Sequence, residues 1–490
     1  MSKAFEDKFA SSWDEKAQQK QPKAPLSDQE RAERLAIENQ LIHLVNTSHS
    51  RPVHVSAIRI QGANRTQPSL IEHHIKPILD CATVGDAILT AQAACQQLSR
   101  LGIFEHVGLV IDSPQDVYAG TISGKESMDV IIEVKETNRV FAKTYADFQN
   151  DQARSGVSGK LRNPFGYGEI IEGFWQKNID ASLEKAPGDL LKDMTSSYQV
   201  EMSAPVNADP DTRTNVGLFN LNRSKELFSS HFENVTGAFA RIKFLSPLGQ
   251  HDLAYEGAIR HIHSLSDKAS LNVRQDAGHS LKSGISHSVV RDTRDDVTIP
   301  TRGYFIRLYK ELAGLGGDVK YVKGEIDAQY SIPIFSGLHM TATARGGVLQ
   351  PLGGDRTRIN DRFFLGGMTS VRGFTYNSIG PRAGNDNIGG DVFWSAGLSL
   401  ISRLPGRLNY DPLRLHAFVN AGSASMLDKQ ASMASNIKTA FSAPTSSAGL
   451  GLIMQFSMVR LELNYCLPVT VTASDTFKKG WNWGIGLSFM

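Results

Sequence analysis

Through the second half of the chain, apolar and polar side chains alternate one for one in segment after segment. In VKYVKGEIDAQYSI, Val322, Ile326, Ala328, Tyr330 and Ile332 fall on one face, and Lys323, Glu325, Asp327, Gln329 and Ser331 on the other. RLELNYCL repeats the pattern, with Leu461, Leu463, Tyr465 and Leu467 opposite Arg460, Glu462, Asn464 and Cys466. WNWGIGLSFM sets Trp481, Trp483, Ile485, Leu487 and Phe489 against Asn482, Gly484, Gly486 and Ser488. A period of two is that of a β-strand with one apolar face and one polar face. After Thr137 no long helical pattern interrupts it.

Composition is compatible with this reading and does not decide it. The chain has 490 residues and a formal net charge of +2, with a mean hydropathy of −0.24. It has no apolar run long enough for a transmembrane helix. A transmembrane barrel also escapes hydropathy averaging, because only alternate strand residues meet lipid. Three cysteines, Cys81, Cys95 and Cys466, are odd in number and lack ligand spacing, which argues against a disulfide framework or a zinc site. The N-terminal MSKAFEDKFASSWDEK has no apolar core of a secretory signal, and it is too acidic for the usual mitochondrial presequence.

About sixteen strand-like segments follow Thr137, starting near 138, 154, 168, 196, 213, 231, 251, 279, 303, 318, 338, 388, 413, 445, 459 and 480. An even number in this range fits an antiparallel transmembrane barrel. A β-sandwich also alternates, but it seldom needs so many meandering strands. The longest late interval, about 350–387, carries GGMTSVRGF. Within it Val371 and Phe374 flank Arg372 and Gly373. Two bulky apolar residues around an arginine suit a tip that packs inside a lumen. Gly373 permits the tight turn, and the guanidinium fork can reach a polar wall.

Ahead of the barrel the pattern differs. Residues 1–50 form a polar arm with one amphipathic stretch from Asp28 to Leu44. Residues 51–136 predict a small α/β module in the order β-α-α-β-β. VHVSAIRI is its first strand, Pro68 opens a helix, GDAILTAQAACQQLSRLG is a longer helix, and FEHVGLVID and MDVIIEVKE are strands. Gly102 is expected to cap the longer helix.

This order, with LGIFEHVGLVID at the helix-to-strand junction, resembles a polypeptide-transport-associated (POTRA) domain. One such module, a sixteen-stranded barrel (residues 137–490) and VRGF between strands eleven and twelve together resemble the superfamily of outer-membrane-protein assembly factors. RDTRDDVTIPTRGYF at 291–305 looks like a second signature of it. GHSLKSGISHS, INDRFFLGGMTSVRGF, NIGGDVFWSAGL, FVNAG and RLELNYC are similar to the channel-subunit family of the mitochondrial sorting and assembly machinery. The resemblance implies a multi-pass protein of the mitochondrial outer membrane, with its POTRA domain toward the intermembrane space. It implies insertion of β-barrel precursor polypeptides through a lateral gate between the first and last strands. Partners implied are those precursors, metaxin-like peripheral subunits and membrane lipids, with a homo-oligomer during assembly left open. No nucleic acid and no cofactor are expected.

In the bacterial relatives the loop arginine meets acids of the barrel wall, whereas the matching positions here are Ser399 and Asn420. A salt bridge is therefore not expected at those positions. Asn420, backbone carbonyls, Asp391 and Glu462 remain open as partners of Arg372. Asn482, Gly484, Leu487 and Phe489 fit the polar, glycine and two-hydrophobic pattern by which mitochondrial barrel precursors are recognised, and they lie on the expected gate strand. No hydrolase triad, metal cluster or nucleotide loop is legible, so no enzyme is expected. The GGD strings at 353–355 and 389–391 read as turns. The alternatives are a passive porin and a bacterial-type secretion or assembly factor.

Overall fold

The computed structural model describes residues 49–112, 126–149, 152–180, 195–354, 356–404, 410, 412–456 and 459–486. The N-terminal arm up to residue 48, including its amphipathic stretch, lies outside them. By contacts the chain divides into two compact units, the first drawn mainly from residues up to Lys135 and the second holding everything from Glu136 onward.

In the first unit, strands Val53–Gln61 (β1), Phe104–Asp112 (β2) and Glu126–Glu136 (β3) make a sheet in the order β1-β3-β2, with β1 and β3 parallel. Helices Pro68–Ile75 (α1) and Val84–Arg100 (α2) separate β1 from β2. Ala87, Ala91, Ala94 and Leu98 form a buried stripe on α2, the spacing of one helix face. That stripe has its apolar counterpart in Val53, Val55, Met128, Val130 and Ile132 of the sheet, all buried. Thr83 caps α2, its Oγ1 accepting from the Asp86 amide at 3.2 Å. Beyond the last turn Gly102 has φ +75°, the left-handed geometry expected of a C-terminal cap.

The second unit is one antiparallel sheet of sixteen strands. They are β4 (Val140–Gln149), β5 (Gln152–Arg162), β6 (Ile170–Asp180), β7 (Thr195–Val206), β8 (Asp209–Ser224), β9 (Phe232–Ser246), β10 (Gly249–His263) and β11 (Gly278–Asp292). Next come β12 (Gly303–Ala313), β13 (Tyr321–Phe335) and β14 (Leu338–Pro351). A two-residue hairpin, β15 (Arg382–Ala383) and β16 (Asp386–Asn387), stands apart from the sheet. The series closes with β17 (Val392–Arg403), β18 (Leu413–Ser425), β19 (Thr445–Phe456), β20 (Val459–Thr470) and β21 (Gly480–Gly486). Every barrel strand pairs with its neighbour in sequence, and β14 pairs with β17 across the long loop. The first and last strands, β4 and β21, come within 8 Å by Cα. Among the described residues no hydrogen-bonded ladder joins them.

The expected strand starts are met within four residues, the widest gaps being 213 against 209 and 388 against 392. The two faces also separate as the alternation predicts. Val157, Trp175, Tyr198, Val200, Ile259, Ile326, Tyr330, Leu463, Trp481 and Trp483 all point outward and are exposed, which suits a wall surrounded by lipid. No helix among the described residues is long and apolar enough to cross a membrane.

The first unit carries its own buried core, so removing it should not unfold the second. Deletion of Val53–Lys135 is expected to leave a heat-modifiable, protease-resistant barrel. Loss of the resistant species in such a deletion would show that the two units fold as one.

Candidate functional site

The 352–391 segment does not project from the sheet. It turns into the lumen, and its tip is among the most enclosed parts of the molecule. Val371 and Phe374 are buried with Leu365, Ile379 and Ala424 in one apolar cluster, against which Phe393 packs. This cluster anchors the loop and leaves the arginine between them to face the wall. Gly373 has φ +81°, and a Cβ there would stand 3.1 Å from Cys466 Cβ and 3.4 Å from Ser447 Cβ. Glycine is thus required both by the backbone and by the close approach to β19 and β20.

Arg372 is fully buried and meets Glu462 of β20 in a two-pronged ion pair, Nε to Oε2 at 2.8 Å and Nη2 to Oε1 at 3.0 Å. Its guanidinium also lies 5.0 Å from the centre of the Phe418 ring, a cation–π contact. The same carboxylate takes Arg460 Nη2 at 2.5 Å and Asn464 Nδ2 at 2.7 Å. His416 continues the network, its Nδ1 3.0 Å from Asn464 Oδ1 and its Nε2 3.1 Å from Ser399 Oγ. Since Asn464 Oδ1 only accepts, His416 carries its proton on Nδ1 and accepts from the Ser399 hydroxyl at Nε2.

Of the partners left open by the sequence, Glu462 is the one that binds Arg372. The loss of acids at Ser399 and Asn420 therefore does not remove the salt bridge; it is formed with a different strand. Asn420 is one step away. Ser447 Oγ contacts both the Arg372 carbonyl and Asn420 Oδ1, the latter at 2.7 Å. A hydroxyl has one proton, so Ser447 donates to the Arg372 carbonyl and accepts from an Asn420 amide turned end for end. That orientation also gives the otherwise unsatisfied Asn420 Nδ2 its acceptor. Asp391 serves elsewhere: its Oδ1 lies 3.8 Å from Arg362 Nε and its Oδ2 accepts from the Leu427 amide at 3.2 Å.

Further along, the loop is fastened to β10 by Asp361 to Arg260 at 2.6 Å and to the β10–β11 connection by Arg356 to Asp276 at 2.7 Å. A second inward loop, 293–302, enters from the opposite end of the barrel. Its Ile299 packs on Ile401 and Ile453, and its Thr298 carbonyl accepts from Arg460 Nη1 at 3.4 Å. Burial would raise the Asp295 carboxyl of this loop, but hydrogen bonds from Thr301, Arg302 and Asp296 hold it below its ordinary value. A continuous polar chain thus runs along the lumen face of β20, from Thr298 through Arg460 and Glu462 to Arg372.

The VRGF tip also grips the turn that leads into β21. Phe374 bridges to Phe477, Thr375 N donates to Thr476 O at 3.1 Å, and Lys478 N donates to Gly373 O at 2.8 Å. Ser378 Oγ and Arg382 Nη2 bond Thr476 at 2.8 and 2.6 Å, and Gly380 N donates to Asp475 Oδ1 at 3.2 Å. Asn482 Nδ2 donates to the Lys478 and Gly480 carbonyls, both at 3.0 Å, and Gly484 stands opposite Glu462 in the ladder. Leu487 and Phe489 lie outside the described residues.

Sequence reasoning did not single out Arg460, Asn464, His416, Ser447 or the 475–478 turn. A base, an acid and an amide at alternate positions on the polar face of β20 were visible as lumen lining. The turn contacts are largely main-chain bonds and leave no side-chain signature.

A family model described as the Omp85 superfamily domain matches residues 163–489. A SAM50-like protein of Schizosaccharomyces pombe is 32% identical over 464 residues, covering 92% of this chain and 94% of that one. A sorting and assembly machinery component 50 homolog of Bos taurus is 31% identical, over 90% of this chain and 91% of its own. Among solved structures, BamA from Haemophilus ducreyi lacking POTRA domains 1–3 superposes with a TM-score of 0.68 at 18% identity, covering 89% of this chain and 85% of that one.

Charge counting orders two substitutions. Arg372→Ala leaves Arg460 to neutralise Glu462, whereas Glu462→Ala leaves two guanidinium groups buried together. Breaking a buried pair costs roughly 3–5 kcal/mol, so Glu462→Ala should lower the barrel's heat-modification temperature more than Arg372→Ala. Equal shifts would mean that Arg460 does not share the carboxylate.

Proposed function

Because this chain belongs to the Omp85 superfamily, among the sorting and assembly machinery component 50 homologues, we propose that it folds and inserts β-barrel precursor proteins into the mitochondrial outer membrane. On this reading the first unit is a POTRA domain facing the intermembrane space. The inserting element is a lateral gate between β4 and β21. No covalent step is needed, and no cofactor. A strand entering hydrocarbon must have its main-chain groups paired, and an opened seam offers two strand edges to do so.

The observation that carries the proposal is the state of the seam. β4 and β21 are neighbours without a ladder among the described residues, and the described part of β21 spans only Gly480–Gly486. Its lumen face opposite β20 holds Gly484 and Gly486, which offer no side chain for cross-strand packing. The VRGF tip holds the turn just above this strand, so the loop can keep the seam shut at rest and release it. Metaxin-like subunits belong to this reading through the family resemblance.

A passive porin is the alternative, and the occupied lumen argues against it. The 352–391 loop fills the wall side of β17–β20 and reaches Arg260 on the far side.

Cysteines placed as a pair, one on β4 and one on β21, should form a disulfide that blocks insertion of a labelled precursor into proteoliposomes. Reductant should restore insertion. Normal insertion by the locked protein would exclude a lateral gate and favour a route through the lumen or a thinned bilayer.

A further inference from the structure

The lumen is filled unevenly. Beside β4–β7 lies a cavity of about 480 Å³, lined on its inner face by Phe141, Lys143, Tyr145, Lys160, Arg162 and Glu172. The strand registers explain the grouping. Phe141 stands opposite Lys160, Lys160 opposite Glu172, and Lys143 opposite Ser158, all on the face that alternates with the outward Val157 and Trp175.

The charges in this cavity do not balance locally. Lys160 pairs with Glu172, and Glu201 is approached by Gln199 Nε2 at 3.3 Å. Lys143 and Arg162 have no carboxylate at ion-pair distance among the described residues. Arg162 lies over the Phe141 ring at 5.9 Å, an attachment that leaves its outer donors available. The last strand has no acidic side chain to offer Lys143 or Arg162, because residues 480–490 contain neither Asp nor Glu.

From this we propose that the cavity is a selectivity site for the arriving strand, taking an acidic side chain on that strand's lumen-facing side. The inference rests on the lateral gate proposed above. A strand that replaces β21 beside β4 places its inward residues opposite Phe141, Lys143 and Tyr145. Directly opposed side chains of opposite charge on neighbouring strands attract, and like charges repel. An inward Asp or Glu gains contacts to Lys143 and Arg162 that β21 cannot make. Those contacts favour the exchange of the resident strand for the precursor. An inward lysine adds to a lining that already carries three cations, Lys143, Lys160 and Arg162, against two carboxylates, Glu172 and Glu201, and is disfavoured.

The test uses full-length protein with Cys81 and Cys95 replaced by serine and Ala142→Cys on the outward face of β4, reconstituted in proteoliposomes. Labelled precursors carry one cysteine in the terminal strand and Glu, Gln or Lys at each of three successive inward positions. Crosslinking yield at the cysteine introduced on β4 reads occupancy of the seam, and native-gel assembly reads completion. With unaltered Lys143 and Arg162, at one inward position Glu should exceed Gln and Gln should exceed Lys, by roughly two- to fivefold per step. Lys143→Glu combined with Arg162→Glu should reverse the order, while Lys143→Arg should keep it. Heat-modifiability of each variant establishes that its barrel is folded, and Lys143→Gln, which should flatten the order, serves if the double charge reversal does not fold. Strong crosslinking with the same order in all variants overturns the selectivity site and leaves the gate standing. Absence of crosslinking for every precursor overturns the gate, and the selectivity site with it.

Discussion

A main-chain amide or carbonyl left unpaired in hydrocarbon costs several kcal/mol, and the architecture of this protein follows from where those groups are satisfied. Fourteen of the sixteen barrel strands have a paired neighbour on each side. The remaining two, β4 and β21, stand at the ends of the order and face each other. Among the described residues the sheet is thus paired everywhere except along the line between β4 and β21, and on the lateral-gate reading that line is where it opens. Its central strands can stay paired while the line opens, so an opening event need not approach global unfolding.

On the same reading, the control lies on the lumen side of β20. Glu462 is held in place by Arg460 and Asn464, and it receives Arg372 from a loop that enters from one end. Arg460 in turn binds the carbonyl of Thr298 from a loop that enters from the other end. One carboxylate on the strand next to β21 therefore ties together both inward loops. The tip that carries Arg372 also makes the main-chain bonds to the 475–478 turn. Loop position and last-strand position are linked by this arrangement, because the residues that anchor the loop adjoin those that hold the turn.

Much of the barrel could be read from the chain because membrane strands obey a strict two-residue period. That period located the starts of β12, β14 and β18–β21 to the residue, and the outward Trp481 and Trp483 followed from it. The inward fold of the VRGF loop was legible as well, from Val371 and Phe374 on either side of the arginine. The identity of its acid was not. Alternation tells which face a residue occupies but not its height in the lumen relative to a loop from a distant part of the chain. Glu462, Asp391 and Asn420 were therefore equivalent as lumen residues. Their difference arises from strand stagger and from the path of the loop. Asp391 stands beside Arg362, 3.8 Å from its Nε, and Arg372 beside Glu462, which the pattern of a single strand cannot reveal.

Amide hydrogen exchange of the protein in lipid nanodiscs tests the central claim, a weak seam held by the loop, most directly. Amides of β4 and β21 should exchange far faster than those of β9, β10 and β11, and Arg372→Ala should accelerate β21 while leaving the central strands unchanged. Protection at β4 and β21 equal to that of the central strands, unaffected by Arg372→Ala, would contradict the account.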